Sequence, residues 1–163
     1  MTIQPGNRYI LVNAKSGTVL DLSGTDGYSV LGWNQHGGDN QKWELSHENN
    51  QWIFRNVGSG KYLGLAEGEV DDNLPIHGVN DPVPWDIFPD KDNDSVYRIF
   101  VPGTRFNVDL SDHGNPDNGT LVTLWGTWQP GANQTWRFEQ GECSLIKYRS
   151  EILINDGYTS LAD

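Results

Sequence analysis

The sequence predicts an all-β domain built from three copies of one unit, and three observations carry that expectation. Hydrophobic residues make up only 36% of the chain, while glycine occurs 19 times and tryptophan 7 times, a balance that suits short strands joined by turns better than a helical core. One segment pattern returns at spacings of 43 and 45 residues, the range in which a supersecondary unit is reused along a chain. Each copy closes on a tryptophan, at Trp43, Trp85 and Trp136.

The elements follow in order. Tyr9-Ile10-Leu11-Val12-Asn13, Trp52-Ile53-Phe54-Arg55-Asn56 and Tyr97-Arg98-Ile99-Phe100-Val101 each read as a strand that opens on an aromatic residue and ends before a glycine turn. The second strands are Thr18-Val19-Leu20-Asp21-Leu22, Lys61-Tyr62-Leu63-Gly64-Leu65 and Phe106-Asn107-Val108-Asp109-Leu110, which bring Asp21, Gly64 and Asp109 into register. The closing runs are Trp43-Glu44-Leu45, Trp85-Asp86-Ile87-Phe88 and Trp136-Arg137-Phe138. A strand pair of this length buries too little to persist alone, so the three copies are expected to share one core with pseudo-threefold symmetry, the tryptophans packing at equivalent positions. The repeats run over 7–46, 50–89 and 95–139 within a domain of 1–140, and 141–163 forms a C-terminal extension. Its Leu145, Ile146, Tyr148, Ile152, Leu153 and Ile154 suggest a segment that covers an apolar patch of the domain or of a partner subunit.

Charge and punctuation exclude several functions. With 22 acidic against 11 basic side chains, a net charge of −11 and no basic stripe, the chain repels phosphate backbones and nucleic acid is not an expected partner. Apolar runs such as Ile10-Leu11-Val12 fall far short of a bilayer span, so no membrane insertion is expected. Met1-Thr2-Ile3-Gln4-Pro5-Gly6 lacks the basic start and apolar stretch of a signal peptide, which points to a cytoplasmic location. The single cysteine, Cys143, can form no internal disulfide and has no thiol-enzyme pattern around it.

Copies one and three share polar residues that copy two lacks. Asp21-Leu22-Ser23 matches Asp109-Leu110-Ser111, and Asn40-Gln41-Lys42-Trp43 matches Asn133-Gln134-Thr135-Trp136, whereas copy two offers Gly64 and Val83-Pro84-Trp85. Aromatic residues lie close by, Trp33 in copy one and Trp125 and Trp128 in copy three. A carboxylate that accepts from neighbouring hydroxyls, an amide that both donates and accepts, and a flat ring for a C–H face are what a shallow sugar site requires. Gln41 and Gln134 would hold the aspartates in place. The competing assignment is that Asp21 and Asp109 bond turn amides and the asparagines cap loops.

The three-copy pattern, the Gln41-Lys42-Trp43 and Gln134-Thr135-Trp136 triplets and the repeated Asp-Leu-Ser together resemble the ricin-B-type β-trefoil lectins over about residues 7–139. More narrowly, Ser16-Gly17-Thr18-Val19-Leu20-Asp21-Leu22-Ser23-Gly24 with His36-Gly37-Gly38-Asp39-Asn40-Gln41-Lys42-Trp43 is similar to the mushroom members that bind galactose and N-acetylgalactosamine. The resemblance implies twelve strands, six closing a barrel and six capping it. It also implies sugar contacts from Asp21, His36, Gly38 and Asn40 with Trp33 flanking in copy one, and from Asp109, Trp128 and Asn133 in copy three. A non-enzymatic, cofactor-free lectin for galactosyl or N-acetylgalactosaminyl glycans, with a defensive role, is what it implies overall; separately, the tail after Glu139 and the absence of disulfides leave room for a homodimer. Copy two is expected to be dead unless Asp71, Asp72, Asn73, His77 or Asn80 rebuild a site. Copy three carries an insertion at Asp112-His113-Gly114-Asn115-Pro116-Asp117-Asn118.

Other chemistries fit less well. Asp90-Lys91-Asp92-Asn93-Asp94 imitates the start of a calcium loop but lacks its glycine and its final glutamate, so a solvated acidic turn is expected. Gly60-Lys61 and Gly27-Tyr28-Ser29 fail as phosphate loop and nucleophile elbow. The four histidines have no metal-ligand spacing. Asn93, Asn118 and Asn133 stand in glycan-acceptor sequons, and a glycan on Asn133 would block the site, which favours a non-secreted chain. The rival function is a trefoil protease inhibitor that presents Lys15, Lys61 or Arg105 on an exposed loop.

Overall fold

The computed structural model describes residues 2–141; the C-terminal extension and Cys143 lie outside the described residues. Twelve strands form in chain order, four per repeat. Repeat one contains β1 (Arg8–Asn13), β2 (Val19–Leu22), β3 (Val30–Trp33) and β4 (Trp43–Glu48), and repeat two contains β5 (Gln51–Asn56), β6 (Tyr62–Leu65), β7 (Ile76–Val79) and β8 (Asp86–Pro89). Repeat three contains β9 (Tyr97–Phe100), β10 (Phe106–Leu110), β11 (Thr120–Gly126) and β12 (Trp136–Gln140).

The first and last strands of each repeat close a six-stranded barrel. Antiparallel pairs link β12 to β1, β1 to β4, β4 to β5, β8 to β9 and β9 to β12, and the Trp52–Trp85 bridge closes the remaining seam beside β8. The hairpins β2–β3, β6–β7 and β10–β11 cap one end. They interlock around the axis through Ser29–His77, Pro75–Thr123 and Leu121–Leu31. This is a β-trefoil, as the sequence predicts.

Trp43, Trp85 and Trp136 are fully buried, and their indoles are held alike. Nε1 donates to the carbonyl of Leu20 at 3.1 Å, of Leu63 at 2.9 Å and of Val108 at 3.1 Å. A buried ring therefore keeps its polar atom satisfied while packing against Leu11, Leu45, Phe54 and Ile99. The accepting residues immediately precede Asp21, Gly64 and Asp109, so the tryptophans fix the strand positions from which the site residues project.

The acidic turn expected at Asp90–Asp94 is solvated over Lys91, Asp92, Asn93 and Asp94, which are exposed, but its first residue departs from that expectation. Asp90 is buried and accepts from Arg98 Nε at 2.7 Å and from the Asp92 amide at 3.2 Å, a buried acid paired with a guanidinium. No helix among the described residues is long and apolar enough to cross a membrane.

Candidate functional site

In repeat one, Asp21 on β2 forms the floor of a concavity of about 180 Å³ lined also by Ser23, Thr25, Leu31, Trp33, His36 and Asn40. In repeat three, Asp109 on β10 forms the floor of one of about 280 Å³ lined by Asn73, Ser111, Asp112, His113, Trp125, Trp128 and Asn133. The carboxylates do not lie open to water; Asp21 is 4% and Asp109 5% exposed.

What holds each aspartate is the same in both repeats. Gln41 Nε2 donates to Asp21 Oδ2 at 2.9 Å and to the Asn34 carbonyl at 3.0 Å, and its Oε1 accepts the His36 amide at 3.0 Å. Gln134 Nε2 donates to Asp109 Oδ2 at 2.9 Å and to the Gly126 carbonyl at 3.1 Å, and its Oε1 accepts the Trp128 amide at 3.2 Å. The competing assignment, aspartates bonded to turn amides, therefore does not describe the structure. Both glutamines are fully buried and absent from the concavity walls, so they orient the acid from behind. Asn40 Nδ2 donates to the Leu22 carbonyl at 3.2 Å and Asn133 Nδ2 to the Leu110 carbonyl at 3.1 Å, each from a one-turn 3-10 segment, Asp39–Gln41 and Ala132–Gln134.

The equivalence of His36 and Trp128 follows from these bonds, since the two amides take the same place against the glutamine oxygens. Trp33 and Trp125 are likewise equivalent, opposite Val19 and Asn107 in their hairpins. All three tryptophans remain accessible, at 37% for Trp33, 41% for Trp125 and 39% for Trp128. Gly38 acts one step back: its amide donates to His36 Nδ1 at 3.0 Å. That bond assigns the ring proton to Nε2, which stands 3.7 Å from Asp21 Oδ2.

Repeat three has a support that repeat one lacks. Buried Arg98 donates from Nη1 to Gln134 Oε1 at 2.7 Å and to Asn107 Oδ1 at 3.1 Å, and from Nη2 to the Trp128 carbonyl at 3.2 Å. Sequence reasoning missed this residue, although Arg98 stands where the other repeats carry Ile10 and Ile53. Burial pushes the Asp109 carboxyl up to about 6, against the opposing hydrogen bonds from Gln134 and Asn133 and the nearby His113.

Repeat two has no such site. A Cβ on Gly64 would come within 2.4 Å of Val79 Cγ2 and 3.1 Å of Val83 Cγ2, so valines fill the space of the aspartate and glutamine. Three of the five residues offered to rebuild it, Asp72, Asn73 and His77, are engaged elsewhere. Asn73 lines the repeat-three concavity, its amide bonded to the Leu124 carbonyl at 2.8 Å. Asp72 accepts the Gly126 amide at 2.7 Å, and His77 packs edgewise on Tyr28 at 5.0 Å.

A family profile described as ricin-type β-trefoil lectin domain-like matches residues 2–79 and 39–125. The Macrolepiota procera ricin B-like lectin, solved in complex with lactose, is 40% identical with a TM-score of 0.83, covering 86% of this chain and 100% of that one. The Rhizoctonia solani agglutinin is 33% identical with a TM-score of 0.76, covering 86% of this chain and 99% of that one. A designed threefold-symmetric protein, ThreeFoil, shares the fold at 24% identity and a TM-score of 0.72, covering 80% of this chain and 96% of that one. No curated protein sequence matches. With its aspartate, glutamine and asparagine repeated beside accessible rings and its profile match across most of the trefoil, the chain belongs to the ricin-type β-trefoil lectin family and is a carbohydrate-binding lectin.

Proposed function

We propose that the protein binds terminal galactose or N-acetylgalactosamine through two shallow sites, one in repeat one and one in repeat three, and catalyses no reaction. The observation that carries this reading is the internal contrast: a buried aspartate held by a glutamine beside an accessible ring occurs twice, and valines fill the third position. Asp21 and Asp109 accept from adjacent sugar hydroxyls, and Asn40 and Asn133 supply the amide. Trp33 and His36, and Trp125 and Trp128, cover the C–H face that galactose gathers on one side. The lactose complex of the Macrolepiota procera lectin, a 40% identical relative, supports the galactosyl choice. Glycoside hydrolysis needs two carboxyl groups flanking one bond; a single carboxylate lines the repeat-one concavity, and in repeat three Asp112 is bonded to Asn115 Nδ2 at 2.9 Å.

The inhibitor reading is less well supported. Lys61 Nζ donates to the Gly27 carbonyl at 2.7 Å, and the Arg105 guanidinium lies 5.0 Å from the centre of the Phe106 ring, so two of its three cations lean on their own chain. A glycan array identifies the sugar, and retention on a galactose column tests the sites. The Asp21→Asn, Asp109→Asn double variant is expected to pass through unretained; undiminished retention overturns the assignment. Tight trypsin inhibition untouched by Asp21→Ala would favour the inhibitor instead.

A further inference from the structure

The turn that carries each site asparagine is fastened by the next repeat around the ring, and we infer that Asn56 and Asn13 are positioning residues for the sites of repeats one and three respectively. The inference rests on the two-site reading above. Asn56 Nδ2 donates to the backbone carbonyl of Asn40 at 2.9 Å, and Asn13 Nδ2 to that of Asn133 at 2.9 Å. Both donors are buried, at 0% and 1% exposure, and each leaves its Oδ1 to cap its own turn, on the amides of Ser59 at 3.1 Å and of Lys15 at 3.1 Å.

Backbone bonds reinforce the same seam. Val57 N donates to the Lys42 carbonyl at 2.9 Å, and Ala14 N, its counterpart, to the Thr135 carbonyl at 3.0 Å. A single 3-10 turn has almost no hydrogen-bond ladder of its own. Its outward carbonyls need partners once buried, and whichever group supplies them sets where the turn lies. Here that group belongs to another repeat.

Repeat three provides the internal control. At the position of Asn13 it carries Val101, which has no amide side chain, and at the position of Ala14 it carries Pro102, which has no backbone N–H. The repeat it follows is the second, which carries Pro82 and Val83 in place of Asn40-Gln41 and Asn133-Gln134. The latch is present at both seams that carry a site and missing at the one that does not. Repeat two, with no sugar site of its own, thus controls the site of repeat one.

The test titrates N-acetylgalactosamine by NMR in two single-site backgrounds, Asp109→Asn to isolate site one and Asp21→Asn to isolate site three. Asn56→Asp and Asn13→Asp keep the Oδ1 acceptor of their own turns and replace the donor with an oxygen that repels the facing carbonyl. Loss of one fixed hydrogen bond corresponds to about a ten-fold loss of affinity. Asn56→Asp is expected to impose it at site one and leave site three unchanged, and Asn13→Asp the reverse. Global destabilisation would not produce that crossed pattern; equal losses at both sites, or none at either, overturn the positioning role. Should a buried carboxylate prevent folding, Gly58→Ala serves, because its Cβ would stand 3.0 Å from the Asn40 backbone nitrogen; it is expected to weaken site one alone, and unchanged binding there overturns the role. Binding that survives Asp21→Asn in the Asp109→Asn background would instead overturn the two-site reading itself.

Discussion

Asp109 carries two opposed demands on one carboxyl group. To accept from sugar hydroxyls it must be ionised, yet burial raises its proton affinity to about 6 in the folded chain, from an ordinary value of 3.8. Binding at site three is therefore expected to weaken as pH falls through about 6, and titrations of the Asp21→Asn variant from pH 8 to pH 5 measure this. The same shift acts on stability with the opposite preference. A carboxyl whose folded value lies above its unfolded one stabilises the fold fully below about 3.8, and that contribution is lost as pH rises through about 6. At neutral pH the ionised group is a net cost, so Asp109→Asn is expected to raise unfolding free energy by roughly 1–3 kcal/mol while abolishing site three. Denaturant melts of the two proteins at pH 7 check the sign. The aspartates and asparagines of the two candidate sites, and the pair Trp33 and Trp125, stand out in the sequence because they recur in register. Arg98 does not, because it occurs once and its partner Gln134 lies 36 positions away.

At the scale of elements, the sites depend on what neighbouring repeats deliver. The loop before β7 is stitched to β11 through the Asp72, Asn73 and Leu124 bonds, which brings Asn73 into the repeat-three concavity from repeat two. Asn73→Ala is expected to lower affinity at site three several-fold, on the order of one hydrogen bond, and to spare site one; the single-site titrations decide it. Sequence spacing assigned Asn73 to its own repeat, because nothing local signals that a hairpin will reach across a seam. The insertion was legible as extra length between Asp109 and Val122. Its use was not: it folds as the Ser111–Gly114 turn, with Asp112 and His113 at positive φ of 53°, and places His113 on the concavity wall. The strands β3 and β7 were hard to read for a related reason. Gly32 and Gly78 interrupt their apolar alternation because Leu110 and Leu22 pack where a side chain would stand, a Cβ at either glycine meeting a leucine methyl at 2.6 Å.

For the whole molecule, threefold symmetry was the most legible feature, since a barrel closed by three equivalent tryptophans requires the period seen in the chain. Each fully buried indole also holds a strand carbonyl, so Trp85→Ala in the siteless repeat is expected to cost about 3–5 kcal/mol of stability, readable as a lowered denaturation midpoint. Symmetry and function then separate. The two proposed sites on one trefoil would make the chain bivalent in its own right, and bivalency converts weak single contacts into crosslinking, with gains of about 10²–10⁴ over either site alone when both engage. Asp21→Asn and Asp109→Asn are each expected to keep weak retention on a galactose column but to lose agglutination of galactose-bearing cells or vesicles, if one chain is the crosslinking unit. Were either single variant to agglutinate as well as the parent, either two chains are joined or a further sugar site exists, since a lone remaining site cannot bridge two surfaces. Light scattering on that variant then reads the mass of the particle directly, and a monomer that still agglutinates would mean a third sugar site where Val79 and Val83 now close repeat two.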